Sequence, residues 1–162
     1  MKVYKLTDQD DRTFCGTQWG EGVTHEAPGT GGLCTAGWIH CYTDPLLAAM
    51  LNPIHMNFTS PHLWEAEADG EMRDDGLKCG VQRLTTLRQL QPPELTIAQR
   101  VRFGILCARE ECRNEAWRSW ADKWLSGADR SQEAAAWAAA LAVEGAKTNF
   151  DLVKLAEEAV RQ

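Results

Sequence analysis

Two carboxylates and one histidine are the first residues that could do chemistry. Glu65 and Glu67 stand two apart in His62-Leu63-Trp64-Glu65-Ala66-Glu67-Ala68, a stretch that alternates as a half-buried strand does. That period puts both carboxylates on one face, about 7 Å apart. A carboxylate there that lost its water would be tuned upward as a general base or acid. His40 lies in Trp38-Ile39-His40-Cys41-Tyr42, a plausible buried strand, and shares a face with Trp38 and Tyr42. It reads either as a catalytic imidazole or as a histidine bonded inside a core. Cys41 is its neighbour, and neighbours on a strand point to opposite faces, so the two do not form a nucleophile–base dyad.

The remaining constellations are incomplete. Six cysteines are present, with no C-x-x-C spacing. The trio Cys34, His40 and Cys41 is one ligand short of a zinc site, so no metal is expected. Gly29-Thr30-Gly31-Gly32 lacks the lysine and following helix of a phosphate-binding loop and reads as a flexible loop. Trp117, Trp120 and Trp124 fall on one stripe of a helix. They read as a protein-binding surface, since aromatic anchors dominate interfaces, or as a core stripe. Arg100, Arg102, Arg109, Arg113 and Arg118 are interleaved with Glu110, Glu111 and Glu115, the pattern of a solvated, salt-bridged helix face.

The elements that must position these residues fall into two halves. The 162 residues are 44% hydrophobic and 25% charged, with seven tryptophans, which excludes disorder. A net charge of −6 argues against a nucleic-acid partner. No apolar run reaches the ~20 residues that a membrane span needs. The opening residues lack a secretory leader's apolar stretch, so a cytoplasmic location is expected. Pro92-Pro93 divides the composition: residues 1–91 hold 10 of the 13 glycines, all the histidines, and 12 acidic against 7 basic side chains. Residues 94–162 are rich in alanine and read as helix throughout.

In the first half, Val3–Leu6, Thr13–Thr17, Trp38–Tyr42, His62–Ala68 and Leu77–Leu90 read as strands. Thr43 or Asp44 caps a helix with Pro45 at its first position, running until Asn52-Pro53 stops it. Asp69-Gly70 and Asp74-Asp75-Gly76 mark turns. In the second half, Thr96-Ile97-Ala98-Gln99 is a capping box. Ile97, Val101, Ile105, Ala108 and Cys112 then form one packing face. Asn114 caps the tryptophan-bearing helix and Gly127 ends it. An alanine-dense helix follows from Asp129 or Ser131 through Trp137 and Leu141, and Thr148 or Asn149 caps the last. The expected fold is α+β: a small mixed or antiparallel sheet with one or two helices over 1–91, followed by a bundle of about four helices over 94–162.

Three blocks carry a family resemblance. Tyr4-Lys5, then Leu33-Cys34-x-x-Gly37-Trp38-x-x-Cys41-x-x-x-Pro45-Leu46, then Glu65-Ala66-Glu67-x-x-Gly70 resemble a family of small phage and prophage proteins. That family carries an "AYKG"-like strand, an "LC-x-x-GFHAC-x-x-PL" block and an "EVE-x-x-G" strand. Trp38 stands where Phe is usual, Leu6 where Gly is usual, and Ile39 takes the family's histidine position. The resemblance implies an accessory protein of a bacterial host's cytoplasm that acts by binding another protein, a host or defence component, with no cofactor. The same order of elements also resembles ADP-ribosyltransferase-like folds. That likeness implies an enzyme using nicotinamide adenine dinucleotide (NAD), with Tyr4, Lys5, Tyr42 and Thr43 in the cofactor pocket and His40, Glu65 or Glu67 as catalytic residues.

Overall fold

The computed structural model describes residues 1–128, 130 and 150–161. The fold is α+β, and the chain divides into two compact units, Met1–Glu94 and Leu95–Gln162.

The first unit is built on β1 (Lys2–Thr7), β2 (Arg12–Thr13), β3 (Thr17–Gln18), β4 (Thr24–Glu26), β5 (Ile39–Cys41), α1 (Pro45–His55), β6 (His62–Asp74) and β7 (Cys79–Leu90). Every pairing in it is antiparallel. β1 pairs with β6, β6 with β7, and β7 with both β4 and β5. Tyr42, the residue after β5, then bridges to Tyr4 of β1 through N–H···O bonds of 2.8 and 2.9 Å. Hydrogen bonding therefore runs in a ring through β1, β6, β7 and β5. So small a ring has room for small side chains, which is why Val3, Cys41, Ala66, Ala68, Cys79 and Val81 form its core, together with Leu84 and Trp19.

Local chemistry explains most boundaries. Asp44 caps α1, its Oδ1 accepting from Leu46 N and Leu47 N at 2.8 and 2.9 Å, with Pro45 at the first position. Pro53 does not stop that helix, which runs on to His55. A proline in the final turn removes one hydrogen bond without ending the turn, and Asn52 closes the end by bonding Phe58 N and O. Asp69-Gly70 is a bulge rather than a turn. The register slips by one residue between Asp69 and Met72, Gly70 sits at φ +80°, and Gln82 Oε1 accepts the freed Glu71 N–H at 2.8 Å. β6 and β7 thus form one long hairpin, turning at Asp74-Asp75-Gly76. The expected single strand at Thr13–Thr17 is a two-strand hairpin, β2–β3, with a short 3-10 turn at Phe14–Gly16.

The second unit contains α2 (Ile97–Glu111), α3 (Glu115–Ser126) and α4 (Leu152–Val160) among the described residues. Thr96 and Gln99 make the capping box, Asn114 caps α3, and Gly127 ends it at φ +82°. Asp151 caps α4, so that helix starts later than Thr148 or Asn149 would start it. The alanine-dense segment with Trp137 and Leu141 lies outside the described residues. α4 packs along α2. Ile105, Trp117, Ala121 and Trp124 make the core, with Val101, Ala108, Cys112 and Trp120 packed against it. Ile97 is 82% exposed instead of joining that face, because it occupies the first helical position, beyond the core's end. Among the described residues, no helix is long and apolar enough to cross a membrane.

Candidate functional site

The turn after β1 builds the densest polar junction of the first unit. Asp8 Oδ1 accepts from Asp10 N at 2.9 Å and Arg12 N at 2.7 Å, folding the chain back on itself. That turn puts Asp11 at φ +58°, a left-handed conformation that Asp tolerates better than most residues. Its Oδ1 accepts from three donors: His62 Nδ1 at 2.8 Å, Trp64 Nε1 at 3.0 Å and Thr7 Oγ1 at 3.3 Å. Its backbone oxygen accepts Trp19 N at 2.7 Å. An ionised carboxylate only accepts, so His62 Nδ1 is the donor in this pair. Both side chains of the pair are about one-third exposed or less. A carboxylate-oriented imidazole of this kind suits proton transfer.

A second cluster lies around the end of β5. Tyr42 Oη donates to His55 Nδ1 at 2.8 Å, and the two rings stack with centroids 5.8 Å apart. Burial pushes the Tyr42 phenol's pKa up, so it stays a donor. Burial also lowers the pKa of His55, with Lys78 adding to the effect, which keeps Nδ1 free to accept. His40 Nε2 lies 2.5 Å from Leu33 O and therefore donates, and burial lowers its pKa too. His40 is thus a half-buried histidine bonded to the loop before its strand.

The glycine loop that precedes it is pinned. Gly31 O accepts from Trp38 Nε1 at 3.3 Å and Arg73 Nη1 at 3.0 Å, while the Arg73 guanidinium stacks on Trp38 at 4.6 Å.

The residues assigned to a dinucleotide pocket are neighbours through the Tyr4–Tyr42 bridge, but their side chains do not share one face. Lys5 is inside the ring, 8% exposed, its Nζ 2.7 Å from His40 O and 5.0 Å above the Trp19 ring. Burial lowers its pKa to about 8. Tyr4 alternates to the other face, where it is the register partner of Glu65. Thr43 is exposed between β5 and the Asp44 cap. The Glu65 carboxylate is taken by Lys2 and Arg88, each at 2.9 Å, and these bonds hold its pKa below the usual carboxylate range. That clamp is the opposite of what a general acid needs. Glu67 is exposed on the same strand. Among the described residues no group of three or more His, Cys, Asp or Glu side chains has the placement to hold a metal.

The tryptophan stripe is a core and not a surface. Trp117 and Trp124 are buried and Trp120 half-buried, with the Trp117 and Trp120 rings 5.9 Å apart. The α2–α3 hairpin has nothing larger to fill its interior. Arg102 is likewise buried, bonding Leu125 O at 3.0 Å, so the arginine face is only partly solvated. Arg109 pairs with Asp122 at 3.1 Å, as an exposed helix face predicts.

Sequence reasoning missed Asp11, His62 and His55. His62 is 51 residues from its carboxylate, and Asp11 reads simply as a turn residue. The one available signal is that His62 opens a strand whose register partner, Thr7, opens the turn to Asp11.

It also missed Phe14, which is 75% exposed at the tip of β2–β3. Thr17 Oγ1 donates to Phe14 O at 3.0 Å, Trp19 Nε1 to Thr13 Oγ1 at 2.8 Å, and Arg12 Nε to Gln18 Oε1 at 3.2 Å. The ring is presented on a fixed turn.

Residues 1–98 match the model of one protein family, described as a domain of unknown function (DUF7666). No curated protein and no solved structure matches the chain.

Proposed function

The chain belongs to the DUF7666 family, and from that premise we propose that it is a phage-type accessory protein that acts by binding another protein, a component of the bacterial host or of its defences. One observation carries the binding reading: Phe14, 75% exposed on a turn fixed by three side-chain bonds. A large aromatic left in water forgoes about 1.5–3 kcal/mol of burial. The turn beneath it is already ordered, so a partner that covers the ring has little backbone to order, the property of an interface anchor. The phage assignment is supported by the Tyr4-Lys5, Leu33–Leu46 and Glu65–Gly70 blocks. Enzymatic use of Glu65 is disfavoured by its double clamp to Lys2 and Arg88.

The test is affinity capture from bacterial lysate with the wild-type chain and with Phe14→Asp, both checked for an unchanged circular dichroism spectrum. The wild type is expected to retain a stoichiometric protein, and Phe14→Asp to lose at least nine-tenths of it. Equal capture by both removes Phe14 as the anchor. Absence of any stoichiometric partner across low and moderate salt overturns the binding reading itself.

A further inference from the structure

Register brings two of the six cysteines together. Cys41, the last residue of β5, is the direct antiparallel partner of Cys79, the first residue of β7. Both belong to the ring's core, and both are essentially inaccessible. Directly opposed residues of an antiparallel pair have Cα atoms about 4.5–5.5 Å apart. A disulfide spans Cα separations of about 4.4–6.8 Å. The two residues therefore meet the Cα requirement of a disulfide without a shift of either strand.

We propose that Cys41 and Cys79 are a redox pair, closing to a cross-strand disulfide under a two-electron oxidant such as hydrogen peroxide and reopening under a thiol reductant. Cys41 is the residue that reacts first. Cys79 is flanked on its other side by Asp74, its register partner in β6. The neighbouring Cys41, burial and that carboxylate together raise the pKa of the Cys79 thiol and hold its proton. The Cys41 sulfur, giving up its proton, attacks one peroxide oxygen, the O–O bond breaks, and hydroxide leaves to take up that proton as water. The resulting sulfenic acid is met by the Cys79 sulfur, which displaces its hydroxyl. The Cys79 proton leaves with that hydroxyl as the second water. Two thiols and one peroxide thus give one disulfide and two waters.

Position gives the bond its consequence. β5 is the shortest strand of the ring, and the residue after Cys41 makes the Tyr42–Tyr4 bridge that closes it. The carbonyl before Cys41 is the one that holds Lys5 Nζ. A covalent bond here fastens the ring's shortest strand beside the single bridge that closes it. It also closes a long chain segment, which limits the unfolded state most. Cys15 and Cys34 are exposed and free, and report general oxidation in the same molecule. This inference does not depend on the binding reading.

The experiment exposes the full chain to hydrogen peroxide, unfolds it in an alkylating agent, and maps the peptides by mass spectrometry. The expected product joins the Cys41 and Cys79 peptides with the loss of two hydrogens, leaves Cys107 and Cys112 alkylated, and reverts with dithiothreitol. The urea midpoint of the oxidised chain should rise and fall back on reduction, and Cys79→Ala should lose both effects. The map on the wild type stands whether or not that variant folds. Recovery of both Cys41 and Cys79 alkylated, at doses that have oxidised Cys15 and Cys34, overturns the proposal. So does linkage of either residue to any other cysteine.

Discussion

Buried tryptophans treat their indole N–H groups differently in the two units. In the first, Trp19 donates to Thr13 Oγ1, Trp38 to Gly31 O and Trp64 to Asp11 Oδ1. Thr86 Oγ1 reaches Gly20 O and Val23 O, and Asn52 bonds both N and O of Phe58. In the second unit, Trp117 Nε1, Trp124 Nε1 and Arg102 Nε are as deeply buried and have no hydrogen-bond partner among the described residues. Polar groups matched individually select one arrangement of the chain, because any other leaves them orphaned. A core of rings and small residues asks mainly for apolar volume at helical spacing. The family match over residues 1–98 falls on the part whose interior is individually matched.

The largest effect that tests this contrast comes from truncation in each core. Leu84 is fully buried in the ring, and Leu84→Ala should cost about 2–5 kcal/mol, since a closed ring cannot collapse onto the void. Ile105→Ala in the helical core, at an equally buried site, should fall at the low end of that range, since helices can shift to fill the space. Urea unfolding of both variants, followed by near-ultraviolet circular dichroism, reads the two values. Comparable losses would mean that the ring is no more exacting than the helices.

Lys5 is the second test, because it is a buried cation held by one carbonyl and one aromatic face. Its pKa falls from 10.5 in the unfolded chain to about 8 in the fold. Between those values the unfolded state carries a proton that the folded state lacks, so stability rises with pH. Below about pH 8 both states are protonated and the full penalty for the buried charge applies. The gain across the window is about 3 kcal/mol. Lys5→Met should lack it, so the difference between wild type and variant, measured in urea at pH 7.5 and pH 10, should change by about 2 kcal/mol, most of that gain. A difference independent of pH would show that the amine is solvated and the ring open.

What the sequence made legible follows the same division. The Asp44–Pro45 start, the Thr96–Gln99 box, the Asn114 cap and the Gly127 stop are local, so a few adjacent residues determine them. Asp69-Gly70 misled because the same pair supplies the positive φ of a tight turn and of a bulge. Only the partner strand, through Gln82, decides between them. The Tyr42–Tyr4 closure, the Asp11–His62–Trp64 junction and the Cys41–Cys79 pair join residues 38 to 53 positions apart. No periodicity records a meeting at that distance. His40, by contrast, was readable as a bonded histidine from its strand alone, although its partner, Leu33 O, was not.

The smallest effect separates the units most cleanly, because the same substitution can be made in both. Trp64→Phe and Trp117→Phe each remove one ring and one N–H from a nearly inaccessible site. Their losses of volume are alike, so that cost cancels on comparison. At Trp64 the N–H serves Asp11 Oδ1, and its loss leaves a carboxylate with one donor fewer. A hydrogen bond to a charged group is worth about 1.5–3 kcal/mol. At Trp117 the N–H has no partner among the described residues, so removing it relieves a desolvated donor and offsets part of the volume loss. Trp64→Phe should therefore exceed Trp117→Phe by at least about 1.5 kcal/mol in urea unfolding, the lower value of a charge-assisted bond. Asp11→Asn should narrow the gap, since a neutral amide oxygen accepts the same indole more weakly. Equal costs for the two tryptophans would mean that the matched polar interior of the first unit contributes nothing that packing alone does not.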